Sequence, residues 1–149
     1  MDHPPEVPPN AFQMDFAVLP TDIDAQNHAN NVRVVDWMNT AAVEHSNQLG
    51  FDVPRYQEIG GIFVVRRHEI DYISPSFEGE RLRAYTWPVA PIRRCLAQRR
   101  HVIVRLADGA VIARGLNHWV FVDTERGRPQ TMPPVILETF DPTQWELGA

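Results

Sequence analysis

Thiols are nearly absent from these 149 residues: Cys95 is the single cysteine, so no disulfide can close within the chain. The expectation is a reducing compartment, the cytoplasm. Long apolar runs are also missing. No stretch approaches the ~20 residues that cross a bilayer, and the first residues carry no apolar core of a secretory signal. An excess of positive charge is missing too. The net charge is −5 and the pI about 5.6, which excludes the electrostatic footprint of a nucleic-acid or anionic-membrane binder. The histidines are scattered without ligand spacing, and Asp22-x-Asp24 has no second acidic cluster beside it, so neither a metal nor another cofactor is expected. There is no internal repeat. What remains is 44% hydrophobic residues in a length that suits one domain with a proper core.

The polar residues concentrate in one place. Thr21 to Asn31 (TDIDAQNHANN) packs two carboxylates, a histidine and four amides between a short apolar strand signal and a long helical pattern. Asn30 is placed to cap that helix with its side chain. From there Val34 or Val35, Met38, Ala41, Ala42 and Leu49 recur on one side, with His45 among them as a packed, hydrogen-bonded histidine. Gly50 supplies the stop. A helix over Asn31–Leu49 spans about 28 Å. Its free N-terminal amides make a place where developing negative charge is favoured.

Around this helix the chain predicts strands. Met1–Asn10, with four prolines, reads as a flexible tail. Ala11–Leu19 is the first strand, and Phe51–Gly61 a connection carrying Pro54 and Gly60-Gly61. Ile62–Ile73 is the second strand, with Val64, Arg66, His68, Ile70 and Tyr72 on one face and Val65, Arg67, Glu69, Asp71 and Ile73 on the other. Arg81–Val89, Cys95–Leu106 and Val111–Asp123 follow, the third ending near Pro88 and the last two joined at Asp108-Gly109. A helical turn is expected near Val135–Phe140. The organisation is then a tail over 1–10, a single domain over 11–140, and a C-terminal tail over 141–149. Short turns join the four strands after the helix, and such consecutive hairpin-length connections imply antiparallel pairing. The class is α+β: a curved antiparallel five-stranded sheet wrapped around one long helix. Its open edge invites a second copy, which predicts a homodimer or homotetramer.

Asp24-x-x-x-His28-x-Asn30-Asn31, followed by Trp37, resembles the opening motif of hot-dog-fold acyl thioesterases: the 4-hydroxybenzoyl-CoA type, the bacterial long-chain acyl-CoA enzymes and the plant acyl-ACP thioesterases. Asp71-Tyr72 with Pro75, Thr86-Trp87 and Arg93-Arg94 extend the likeness over roughly residues 16–134. Three positions depart from it. Asn27 stands where the family often has glycine, Gln26 where the plant enzymes have asparagine, and Val34 where a tyrosine is usual. The resemblance implies an acyl-CoA thioesterase yielding a free acid and CoA. Asp24 would be its nucleophile or general base and His28 the assisting group. The Asn31 backbone N–H, at the helix start, would serve as oxyanion donor.

Each of these residues also has a plainer reading. Asp22 and Asp24 suit hydrogen bonds to the junction backbone, and His28 suits a loop cap. Arg93 and Arg94, with Arg99 and Arg100 nearby, suit CoA phosphates or an exposed cationic turn. Trp37 and Tyr72 suit the wall of an acyl pocket or simply core. The altered Gln26-Asn27 pair also fits an acyl-CoA-binding dimer without turnover, and the motif fits an acyl-ACP thioesterase.

Overall fold

The computed structural model describes residues 3–146. Five strands form one antiparallel sheet: β1 (Phe12–Ala17), β2 (Gly61–Tyr72), β3 (Arg81–Arg93), β4 (Leu96–Arg105) and β5 (Val111–Asp123), in the spatial order β1-β3-β4-β5-β2. The principal helix α1 (Asn31–Gln48) packs against that sheet. Two short helices, α2 (Val53–Ile59) and α3 (Pro134–Thr139), cover one end. This is the α+β hot-dog arrangement that the sequence predicts.

The helix begins and ends where its sequence directs. The Asn30 side chain accepts the Val32 N–H, Val34, Met38, Ala41, Ala42 and His45 are buried, and Gly50 takes the left-handed conformation at φ +91°. The buried stripe meets Leu82, Ala84, Ile103 and Ala113, one residue in two along three strands. At Gly115 the Met38 side chain rests on the sheet: a β-carbon there would lie 2.8 Å from Met38 Sδ, so a larger residue would make that flexible side chain shift. The opposite parity of β3 and β4 (Tyr85, Trp87, Val102, Val104) forms a second cluster on the other side of the sheet.

Residues at both ends of the chain pack onto that second cluster. Val7 is buried in it, His3 stands edge-on to Tyr85, and Trp145 reaches both the cluster and the His45 ring. Turns closed by Pro4 and Pro8 carbonyls direct residues 3–11 against the sheet. The prolines pre-shape this segment instead of holding it away.

Four further details differ from the sequence reading. Residues 53–59 form α2, because Asp52 caps the Arg55 N–H and Pro54 sits in the first turn, where a missing N–H costs nothing. In β2 the register slips by one residue at Arg66 (Val65 faces Trp119, Arg67 faces His118). The faces therefore exchange midway, with Phe63 packed inward before the slip and Ile70 after it. β3 runs on past Pro88 to Arg93, since β1 stops pairing at Thr86 and a residue without an N–H is tolerated beyond it. Finally, β2 and β3 are not a hairpin. Residues 73–80 cross from one edge of the sheet to β3 near the other and pass the start of α1 on the way.

Candidate functional site

The crossing segment and the junction before α1 meet in a groove of about 300 Å³, lined by His28, Ala29, Asn31, Val34, Tyr72, Ser74, Ser76 and neighbours. A short hairpin builds its rim. Ile23 bridges Ala29, Asp24 N–H donates to the His28 carbonyl at 3.0 Å, and Asn27 closes the turn at φ +66°. Asparagine tolerates this left-handed conformation, the usual province of glycine, so the substitution at position 27 preserves the turn.

The two carboxylates separate by task. Asp22 is buried; it accepts the Leu19 N–H at 2.8 Å and faces the Arg33 guanidinium at 3.6 Å. It holds the entry to the helix. Asp24 is half-buried. Its Oδ1 accepts the Gln26 N–H at 2.8 Å, and Oδ2 has no partner among the described residues. Asp24 is not itself part of the groove wall, but its backbone pairs with that of His28, which is. At the helix start Val32 and Arg33 donate to Asn30, while the Asn31 N–H has no acceptor among the described residues.

The other sequence-derived candidates scatter. Tyr72 lines the groove and is exposed. Trp37 instead packs on Phe16, ring centroids 4.9 Å apart, at the margin of the core. Arg93 and Arg94 are exposed at the β3–β4 turn, outside the groove. Arg99 parts company with them: it is buried inside the fold and cannot join an exposed phosphate clamp. Ser76 was missed by sequence reasoning. Its hydroxyl is buried at the groove without a partner among the described residues, and its carbonyl accepts the Ala29 N–H. Ser74-Pro75-Ser76 reads in sequence only as the end of a strand. Among the described residues no three His, Cys, Asp or Glu side chains converge as metal ligands, and no helix is long and apolar enough to cross a membrane.

A second, apolar cavity of about 160 Å³ lies at the far half of α1, between α2, α3 and the opposite end of the sheet. The buried polar groups nearest it form two sets. Arg99 Nη1 donates to His45 Nδ1 at 2.8 Å and to Thr86 Oγ1 at 3.3 Å. Beside them, His68 Nδ1 donates to Asn117 Oδ1 at 3.0 Å, and Asn117 Nδ2 donates to His101 Nε2 at 2.9 Å. Burial and the Arg99 cation hold His45 down to about 3, and His101 is likewise pushed well below its usual range by burial first and Arg99 second. Both rings are neutral at physiological pH.

A family model described as the thioesterase-like superfamily matches residues 18–140. The chain belongs to the thioesterase-like superfamily. The matched span runs from just after β1 through α3, so it includes the hairpin, the groove and the apolar cavity. Thioester hydrolysis is the activity class of this thioesterase-like chain. Solved structures repeat its fold. A 1,4-dihydroxy-2-naphthoyl-CoA thioesterase from Synechocystis superposes with a TM-score of 0.79 at 14% identity, over 89% of this chain and 96% of that one. A Staphylococcus aureus protein solved in complex with CoA superposes at 0.78 and 12% identity, over 89% and 80%. A 12:0-ACP thioesterase from Umbellularia californica gives 0.78 at 18% identity, over 89% of this chain but 50% of its own length. At these identities the likeness establishes architecture. A search of curated proteins finds no match.

Proposed function

We propose that the groove at the start of α1 hydrolyses acyl-CoA thioesters. The observation that carries this reading is the unengaged Asn31 N–H at the head of an 18-residue helix, in one groove with His28 and beside the Asp24 hairpin. A thioester oxygen docked on that amide gains charge as its carbon becomes tetrahedral, and a fixed dipole lowers the energy of that change. Asp24, with one oxygen unengaged, attacks the carbonyl or draws a proton from water. His28 assists by orienting the carboxylate or passing a proton to the leaving thiol. Tyr72 forms the far wall.

The working unit in this reading is a pair of subunits. Among the described residues β2 has no neighbour on its outer edge, and Val64, Tyr72 and Ile73 lie exposed on or just beyond it. Two-fold antiparallel pairing about the middle of β2 sets the Tyr72 end of one strand beside the Gly61 end of the other. The register Leu96↔Val120↔Val64 puts the β3–β4 turn at the Gly61 end. Arg93 and Arg94 of one subunit then approach the groove of the other, where CoA phosphates would lie.

The test is thiol release from short, long, branched and aromatic acyl-CoAs, beside Asp24→Asn. Release by the wild type and its loss in the variant is expected. Release that survives the substitution removes Asp24 from the chemistry, and silence across the whole panel removes the acyl-CoA reading.

A further inference from the structure

Arg99 is the least explained residue of the molecule. It is 7% exposed and lines the apolar cavity at the far half of α1, whose walls include Phe51, Tyr56, Phe63, Trp119 and Phe140 and no aspartate or glutamate. Both of its hydrogen-bond acceptors, His45 Nδ1 and Thr86 Oγ1, are uncharged and engage Nη1 alone. No carboxylate faces it among the described residues. Burial lowers it to about 10, which leaves it cationic at neutral pH. A full charge without a counter-ion is expensive inside a protein, yet here His45 and Thr86 hold it in position with Nε and Nη2 unengaged among the described residues. That edge of a guanidinium matches the two oxygens of a carboxylate.

We propose that this cavity receives the far end of the acyl group and that this end carries a carboxylate, which pairs with Arg99. The proposal rests on the thioesterase reading and its paired subunits, since β2 runs from the cavity wall at Ile62 and Phe63 to the groove wall at Tyr72. A strand paired with its own copy brings one subunit's groove to the other's cavity. The volume of about 160 Å³ is close to the ~150 Å³ that accommodates benzene, so the body carrying the carboxylate is a single aromatic ring or a chain of similar bulk. A lone guanidinium neutralises a monoanion; the multiply charged phosphates of CoA belong with the exposed arginines.

Two measurements test it. The first needs no turnover: calorimetric titration of the intact protein with benzoate and with uncharged benzamide. Benzoate is expected to bind at least about tenfold more tightly, the scale of a charge-assisted pair, and Arg99→Met to abolish that preference while Arg99→Lys restores part of it. Equal affinities, or a preference that survives Arg99→Met, overturn the anion site. Should Arg99→Met fail to fold, the wild-type ratio of the two affinities decides. The second compares kcat/KM for a CoA thioester ending in a carboxylate with one of equal length ending in methyl. A preference for the acid of about tenfold or more, lost in Arg99→Met, supports the assignment. Hydrolysis of both without preference overturns it. If neither is hydrolysed while benzoate still discriminates, the acyl-CoA reading falls and the anion site stands.

Discussion

The groove at the start of α1 takes His28 and Asn31 from one short run of chain. The cavity at its other half draws Ser46, Tyr56, Phe63, Arg99 and Phe140 from five separate places. The first is the more polar of the two, and its donor is a backbone amide that exists because a helix must begin somewhere. The second is lined by aromatic rings, and its single charge is held by side chains. A reactive centre can be made locally, because backbone geometry supplies its dipole. A recognising pocket has to be assembled from the whole fold.

The largest expected effect separates two carboxylates two residues apart. Asp24→Asn should lower kcat/KM by roughly 10²–10⁴, the range for loss of an acid–base group, with the melting temperature unchanged. Asp22→Asn should do the reverse, costing stability because the buried group loses its charge toward Arg33 and one of its two acceptor oxygens. Steady-state kinetics and thermal melts on both variants break the comparison if the two behave alike.

Met38→Ala comes next. Truncating a fully buried methionine should cost about 2–5 kcal/mol, read by denaturant unfolding. It should also raise activity on longer acyl groups relative to short ones.

Acidification acts through His45, the histidine that holds Arg99. In the unfolded chain His45 titrates near its ordinary value of 6.5, but in the fold only near about 3. Between those limits the unfolded chain binds a proton that the folded one excludes. This contribution to stability is therefore whole above pH 6.5 and is lost as the pH falls towards 3. His101 adds to the same trend. Melting temperature should fall on acidification over this window, and His45→Asn should flatten the fall.

The smallest effect lies at the helix cap. Asn30→Ala removes the acceptor of the Val32 N–H and should cost about 1 kcal/mol, a shift of a few degrees in the melting temperature.

The contrast between the two regions also explains what the sequence could show. Asp24, His28 and Asn31 stand in one motif, and α1 announces itself through Asn30, the stripe from Val34 to His45, and Gly50. β4 and β5 were legible from Asp108-Gly109 and their β-branched runs. Arg99 was not: in a strand pattern an arginine beside Arg100 reads as solvent-facing, and only the register Arg99↔Asn117 opposite the buried face of α1 turns it inward. Strand order escaped for a related reason. Residues 73–80 look like a turn, and nothing in their composition says that they cross the sheet. The slip at Arg66 is a difference of one residue, invisible to a period of two.

Met38 resting on Gly115 has a consequence for measurement of length. Val34, one turn earlier, borders the groove, and Ala42, one turn later, borders the cavity. The turn between them lays the fully buried Met38 side chain over Gly115. Within one subunit the two compartments are rooms divided by the buried Met38 side chain. The helix thereby acts as a gauge: what enters at its head must either stop within a turn or leave across the β2 edge.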